Sequence, residues 1–145
     1  MAKRFTREEI KQRFQASIDA GQPIVIASAG IGIAAKFAER GGADMIGLFN
    51  SSYLGLGRVE ATSLMPYGNA NDIVMSLGDR IFPVVQNTPI LGGIIGSDPT
   101  REMTPFLKIM QFKGFPAVIN FPSPGFAYGQ HRRNLERNNY GVQQE

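Results

Sequence analysis

The sequence predicts an α/β fold built on a parallel sheet, and three features lead there. Four short apolar runs, IVIASA (24–29), DMIGLF (44–49), PILGGII (89–95) and PAVINF (116–121), are separated by stretches of helical character. Each run is nearly continuous in apolar residues rather than alternating, the pattern of strands covered on both faces. Strand and helix take turns along the chain, which is the order of βαβ units.

The elements follow in order. Thr6 with Glu9 three residues later is a capping-box signature, and Ile10, Phe14 and Ile18 recur at four-residue spacing, predicting an amphipathic helix over 6–20. Segment 1–21 therefore leads as a helix into the first strand, with Gly21 and Pro23 as the stop. Gly30 and Gly32 make a tight turn after that strand, and AAKFAER forms a short helix closed by Gly41. The second strand opens into SSYLGLGRVEATSLMPYGNAN, longer than the usual few-residue connection and so expected to carry function. A helix over 71–82 precedes the third strand. GSDPT is next, with Pro99 or Thr100 near the entry to a helix that runs to about 113, and Gly114 ends it before the fourth strand.

Composition narrows the function. The chain has 145 residues, 43% hydrophobic and 19% charged, which is globular and fits one domain over 1–145. With no Cys, disulfides, thiolate metal sites and a cysteine nucleophile are excluded. The charged N-terminus lacks the apolar core of a secretory signal, and no run approaches the ~20 apolar residues of a membrane span, so the cytoplasm is the expected compartment and no membrane partner is expected. The net charge of +3 is mild and its basic residues are interleaved with acidic ones, which disfavours a nucleic-acid partner.

In parallel α/β sheets ligands meet the carboxyl ends of the strands, where loops converge and helix N-termini present free amides. All four runs end in small polar groups: Ser28-Ala29-Gly30, Asn50-Ser51-Ser52, Gly96-Ser97-Asp98, and Asn120-Phe121-Pro122-Ser123. These exits predict one shared rim. Ser, Asn and Asp are also the favoured helix caps, and Asp98 before Pro99 reads equally as a cap or as a catalytic group. Asn50 and Asn120 stand well ahead of any predicted helix and read as site residues.

AGIGIAAKF resembles part of a dinucleotide fingerprint but lacks the third glycine, and Asn50 stands where a ribose-binding acid would be. A phosphate or carboxylate resting on these amides is the alternative. One histidine, His131, and dispersed acids argue against zinc, whereas Mg²⁺ needs only one or two carboxylates, for which Asp98 and Glu60 qualify. Arg58 is a candidate clamp for an anion. His131, Arg132, Arg133, Tyr53 and Tyr67 are weaker candidates, each with an ordinary surface or packing role beside the chemical one.

The series IVIASAGIGIAAKFAERGGADMIGLFNSS, LMPYGNAND, PVVQNTPILGGIIGSDPTR and INFPSPG followed by RRNLE resembles the phosphoenolpyruvate hydrolase-like TIM-barrel family, to which the C-terminal domain of a plant tobamovirus-resistance protein is also similar. The resemblance covers about residues 22–141. It implies a parallel (β/α)8 barrel, distantly related to the phosphoenolpyruvate mutase and isocitrate lyase group, whose members handle small 2-oxo acids and often use Mg²⁺. By position, Asn50-Ser51-Ser52, Asp98, Asn120 and the Arg132 to Glu136 segment match family segments, while the paired Asp-x-Asp of the mutase relatives is missing. A barrel takes about 250 residues and eight strands. The chain is thus expected to cover the first half, as a piece of a longer protein or as a homo-oligomer that hides its sheet edges.

The expected function is hydrolysis or lyase chemistry on a small anionic 2-oxo acid or phosphorylated analogue. Asp98 and Asn120 are the expected catalytic groups, and Asp98 the metal ligand. Ser28, Gly30, Asn50, Ser51, Arg58, Ser97 and Ser123 are the expected substrate contacts. A non-catalytic barrel that binds a ligand or a protein is the alternative.

Overall fold

The computed structural model describes residues 3–54 and 68–145. Four parallel strands, β1 (Ile26–Ser28), β2 (Met45–Leu48), β3 (Ile90–Ile94) and β4 (Ala117–Asn120), pair in the order β1-β2-β3-β4. Helices α1 (Arg7–Asp19), α2 (Gly32–Arg40), α3 (Ala70–Ile81), α4 (Met103–Lys113) and α5 (Gly129–Arg137) complete the described frame. Because every pairing in the sheet is parallel, all four carboxyl ends lie along one edge. The register Leu48↔Gly92 and Ile94↔Asn120 sets the exits of β2, β3 and β4 beside one another.

One face of the sheet is packed by α2, α3 and α4. Ile46 and Leu48 of β2 and Ile90 and Ile94 of β3 meet Ala35, Val74, Leu77, Ile81, Phe106 and Met110, all buried. Each buried Ile or Leu there contributes about 2 kcal/mol relative to exposure, so this layer carries most of the stability. The other face is covered by α1, whose Ile10 packs on Met45 and Leu91 with Phe5, Phe14 and Phe49 around them. Thr6 caps α1 with the expected box: its hydroxyl accepts from Glu9 N and the Glu9 carboxylate accepts from Thr6 N at 2.7 Å.

On the α1 face the Phe49 ring lies against bare backbone. A Cβ at Gly93 would stand 2.4 Å from it, so the two adjacent glycines of PILGGII serve close approach on either side of the sheet. Phe49 then meets Phe121 edge-on, with ring centroids 5.0 Å apart.

Three expectations need correction. IVIASA was expected to be covered on both faces, yet β1 has three residues and Ile24, Val25 and Ile26 are exposed, because β1 is an outer strand of the described sheet. Val118 and Ile119 of β4 are exposed for the same reason. The helix expected with Pro99 or Thr100 near its entry begins at Met103, since the Asp98 side chain folds residues 98–100 into a turn ahead of it. The described residues form an open parallel sheet, consistent with part of a barrel.

Candidate functional site

The exits of β1 and β2 are tied together. Asn50, Ser51 and Ser52 are buried in a 3-10 turn (Asn50–Leu54), and the Ser52 and Ser28 hydroxyls lie 2.7 Å apart. A Cβ at Gly30 would fall 1.6 Å from the Ser52 carbonyl oxygen, so only glycine lets the β1 exit pass this close. Helix α2 follows at once, and Ile31 at its start supplies no side-chain cap, leaving first-turn amides for other acceptors.

The exit of β3 is organised around Asp98, whose side chain is 2% exposed. Oδ2 accepts from Asn69 Nδ2 at 2.8 Å and Asn71 Nδ2 at 2.9 Å, and Arg101 Nε stands 2.6 Å away, an ionic contact without hydrogen-bond alignment. Oδ1 accepts from the Thr100 backbone at 2.9 Å and the Thr100 hydroxyl at 2.6 Å. Burial alone would raise the Asp98 pKa, but the Thr100 hydroxyl, the Asn69 amide, the Thr100 amide and the Asn71 amide outweigh it, and the carboxyl is held well below its ordinary range. It is therefore charged at any physiological pH.

Two asparagines make that arrangement possible. Asn69 Oδ1 caps α3 by accepting from Asn71 N and Asp72 N, which leaves its Nδ2 for Asp98. Asn71 is fully buried, and its amide pairs with Ile95 as a neighbouring strand would: Nδ2 donates to Ile95 O at 3.1 Å and Oδ1 accepts from Ile95 N at 2.9 Å.

At the exit of β4 the hydrogen bonds converge on a different carboxylate. Asn120 Nδ2 and Ser123 Oγ both donate to Glu145 Oε2, each at 2.9 Å, and Ser123 Oγ accepts from Gly125 N at 2.9 Å. Residues Val142–Gln144 form a 3-10 turn that brings Glu145 over this exit.

Two adjoining cavities open along this edge. One, of about 250 Å³, is lined by Asn50, Asn69, Asp98, Thr100, Pro122 and Tyr140 among others. The second, of about 220 Å³, is lined by Ile95, Ser97, Pro122, Ser123, His131 and Tyr140 among others. Asn50 Oδ1 and Ser97 Oγ, one beside each cavity, are buried polar atoms without a partner among the described residues. Such atoms are uncommon in folded proteins and cost about 1–3 kcal/mol each if left unpaired.

The family described as phosphoenolpyruvate hydrolase-like matches residues 9–145. The chain belongs to that family. It is 41% identical over 136 residues to the tomato (Solanum lycopersicum) ToMV resistance protein Tm-1(GCR237), covering 93% of this chain and 18% of the tomato protein. It is 33% identical over 144 residues to the putative transcriptional regulatory protein y4pA of Sinorhizobium fredii, covering 96% of this chain and 23% of that protein. The chain thus spans less than a quarter of the length of either relative.

For this member of the phosphoenolpyruvate hydrolase-like family, the sequence-predicted residues divide clearly. Asn50, Ser97, Asp98 and Ser123 line the two cavities, and Asn120 stands beside Ser123. Ser28, Gly30 and Ser51 belong to the joined exits of β1 and β2. Arg58, Glu60 and Tyr67 lie outside the described residues. Tyr53 is exposed with the Arg80 guanidinium 5.7 Å from its ring centroid. Arg132 pairs with Glu136 and Arg133 with Gln130 along α5, away from the cavities.

Among the described residues, the donors around Asp98 do not fit a magnesium ion. Both Asp98 oxygens are occupied by protein donors, and among the described residues no group of three His, Asp or Glu converges. Sequence reasoning passed over Asn69, Asn71, Thr100, Arg101 and Glu145. The spacing in NAND and DPTR, a cap before a helix and an Asp two residues ahead of Thr, is a local signal for the first three. No local pattern points to Glu145.

Proposed function

We propose that this chain supplies part of the rim of a phosphoenolpyruvate hydrolase-like barrel that binds a small anionic 2-oxo acid or phosphorylated analogue and processes it by hydrolysis or lyase chemistry. The observation that carries the reading is the meeting of the β2, β3 and β4 exits on two adjoining cavities, with polar atoms beside them that have no partner among the described residues. Asn50, Ser97, Asn120 and Ser123 hold the ligand. Asp98, charged at neutral pH and clamped from both oxygens, fixes the shape of the rim and positions Asn69 and Thr100 at the larger cavity. The exposed edges of β1 and β4 support closure of the sheet by further strands, from a second copy or from more of a longer chain; light scattering at micromolar concentration separates the two, a dimer favouring the second copy. Turnover is tested by pyruvate or phosphate release from phosphoenolpyruvate and phosphonopyruvate, with Asp98→Ala alongside. Release by the native chain and its loss in the variant are expected, and no turnover of either compound defeats the reading.

A second reading has its own support: the donors at the rim are neutral amides and hydroxyls, and the relatives are named as a resistance protein and a regulatory protein. A barrel of this kind binds its ligand without converting it. Thermal shift against 2-oxo acids and phosphates separates the two, since a stabilising ligand recovered unchanged favours binding alone.

A further inference from the structure

We propose that Asn120 and Ser123 form a carboxylate-binding subsite at the exit of β4, and that Glu145 of the same chain sits in it, in the place of a ligand's carboxylate. Ser123 is 8% exposed, and its Oγ already accepts from Gly125 N, so its one hydrogen is committed to the oxygen in front of it. Asn120 Nδ2 aims at that same oxygen, Glu145 Oε2, and both distances are 2.9 Å. Two donors from one strand exit converging on one carboxylate oxygen is a carboxylate receptor in geometry as well as chemistry.

The occupant is replaceable. Glu145 is exposed, its Oε1 has no hydrogen-bond partner among the described residues, and both its holders are neutral. Hydrogen bonds between an exposed carboxylate and neutral donors exchange with those to water, which leaves the seat open to competition. Beside it lies the cavity of about 220 Å³, where Ile95, Pro122, Ala127 and Leu135 offer apolar walls and Ser97 and His131 the polar contacts. Seat and cavity together fit a small monocarboxylate with a short carbon body and one further polar atom, the shape of a 2-oxo acid. This deepens the function proposed above and rests on it only for the choice of probe.

A self-supplied carboxylate lowers a ligand's apparent affinity by the fraction of time it holds the seat. Pyruvate titrated into the full chain, followed by amide NMR shifts, should therefore bind Glu145→Ala at least tenfold more tightly than the native protein. Adding Ser123→Ala to that variant should abolish the gain. Gly96→Ala is a second route that keeps all three polar groups: its Cβ would stand 3.2 Å from Glu145 Cα, so it shifts the turn and should tighten pyruvate several-fold even where Glu145→Ala folds poorly. Equal affinity in the native chain and Glu145→Ala, an undiminished gain after Ser123→Ala, or no binding by any variant overturns the subsite. Turnover of phosphoenolpyruvate is read separately. A binding gain without turnover keeps the subsite and defeats only the catalytic reading.

Discussion

Two carboxylates stand at the same edge of this sheet and are held in opposite ways. Asp98 is buried, meets side chains from α3 and from its own turn, and is balanced by Arg101. Glu145 is exposed and takes two neutral donors on one oxygen. The difference teaches that position at a strand exit does not decide a group's task. Asp98 is enclosed so completely that its charge serves the fold, whereas Glu145 and its holders keep the freedom a ligand site needs.

That contrast is tested most severely at Asp98. Replacing it with Ala leaves Asn69, Asn71, Thr100 and Arg101 without their shared acceptor, and loss of one partner from a buried charged network costs about 3–5 kcal/mol. Urea unfolding should register a loss of that size. Asn71→Ala comes next: it strips both the N–H and the C=O of Ile95 of their partner and should cost about 2 kcal/mol in the same assay.

Acid sharpens the comparison further. The folded-state pKa of Asp98 lies below its ordinary 3.8, so its stabilisation is complete above that value and is lost as pH falls beneath it. Glu9, lowered from 4.5 to about 2 chiefly by the Thr6 backbone hydrogen bond, adds to the same acid limb. Stability measured from pH 5 downward should fall in the native chain, and the fall should be shallower in Asp98→Asn. At the capping box itself, Thr6→Ala should cost about 1 kcal/mol by thermal unfolding. Glu145→Ala should cost only about 1–2 kcal/mol, the worth of two hydrogen bonds to an exposed carboxylate, while tightening ligand affinity, well short of the loss in Asp98→Ala. A large stability loss at Glu145 would erase the distinction between the two carboxylates.

Much of the frame was legible because its signals are local. The Thr6 and Glu9 pair, the run DMIGLF and the helix expected over 71–82 reappear as the cap of α1, strand β2 and helix α3 within a residue or two. The misread strands have a physical explanation: an apolar run records a strand's composition and not its place in the sheet, and β1 and β4 are outer strands among the described residues. At the rim, sequence gave the polar residue types at every exit but not their partners. Asp98 is met by Asn69 and Asn71 from 29 and 27 residues away, and Asn120 by Glu145 from 25 residues away. No window of helical or strand periodicity reaches that far.

The agreement between sheet order and chain order bears on how the molecule is assembled. Each new strand adds beside the one made just before it, so β2, β3 and β4 extend a growing edge without waiting for distant sequence. Helix α1 is the exception. It is synthesised first, yet its Ile10 rests on Met45 and Leu91, so it must remain undocked until two later strands exist to receive it. Emergence from the ribosome thus gives the sheet its sequence of additions and holds back the docking of α1 until β3 has been made.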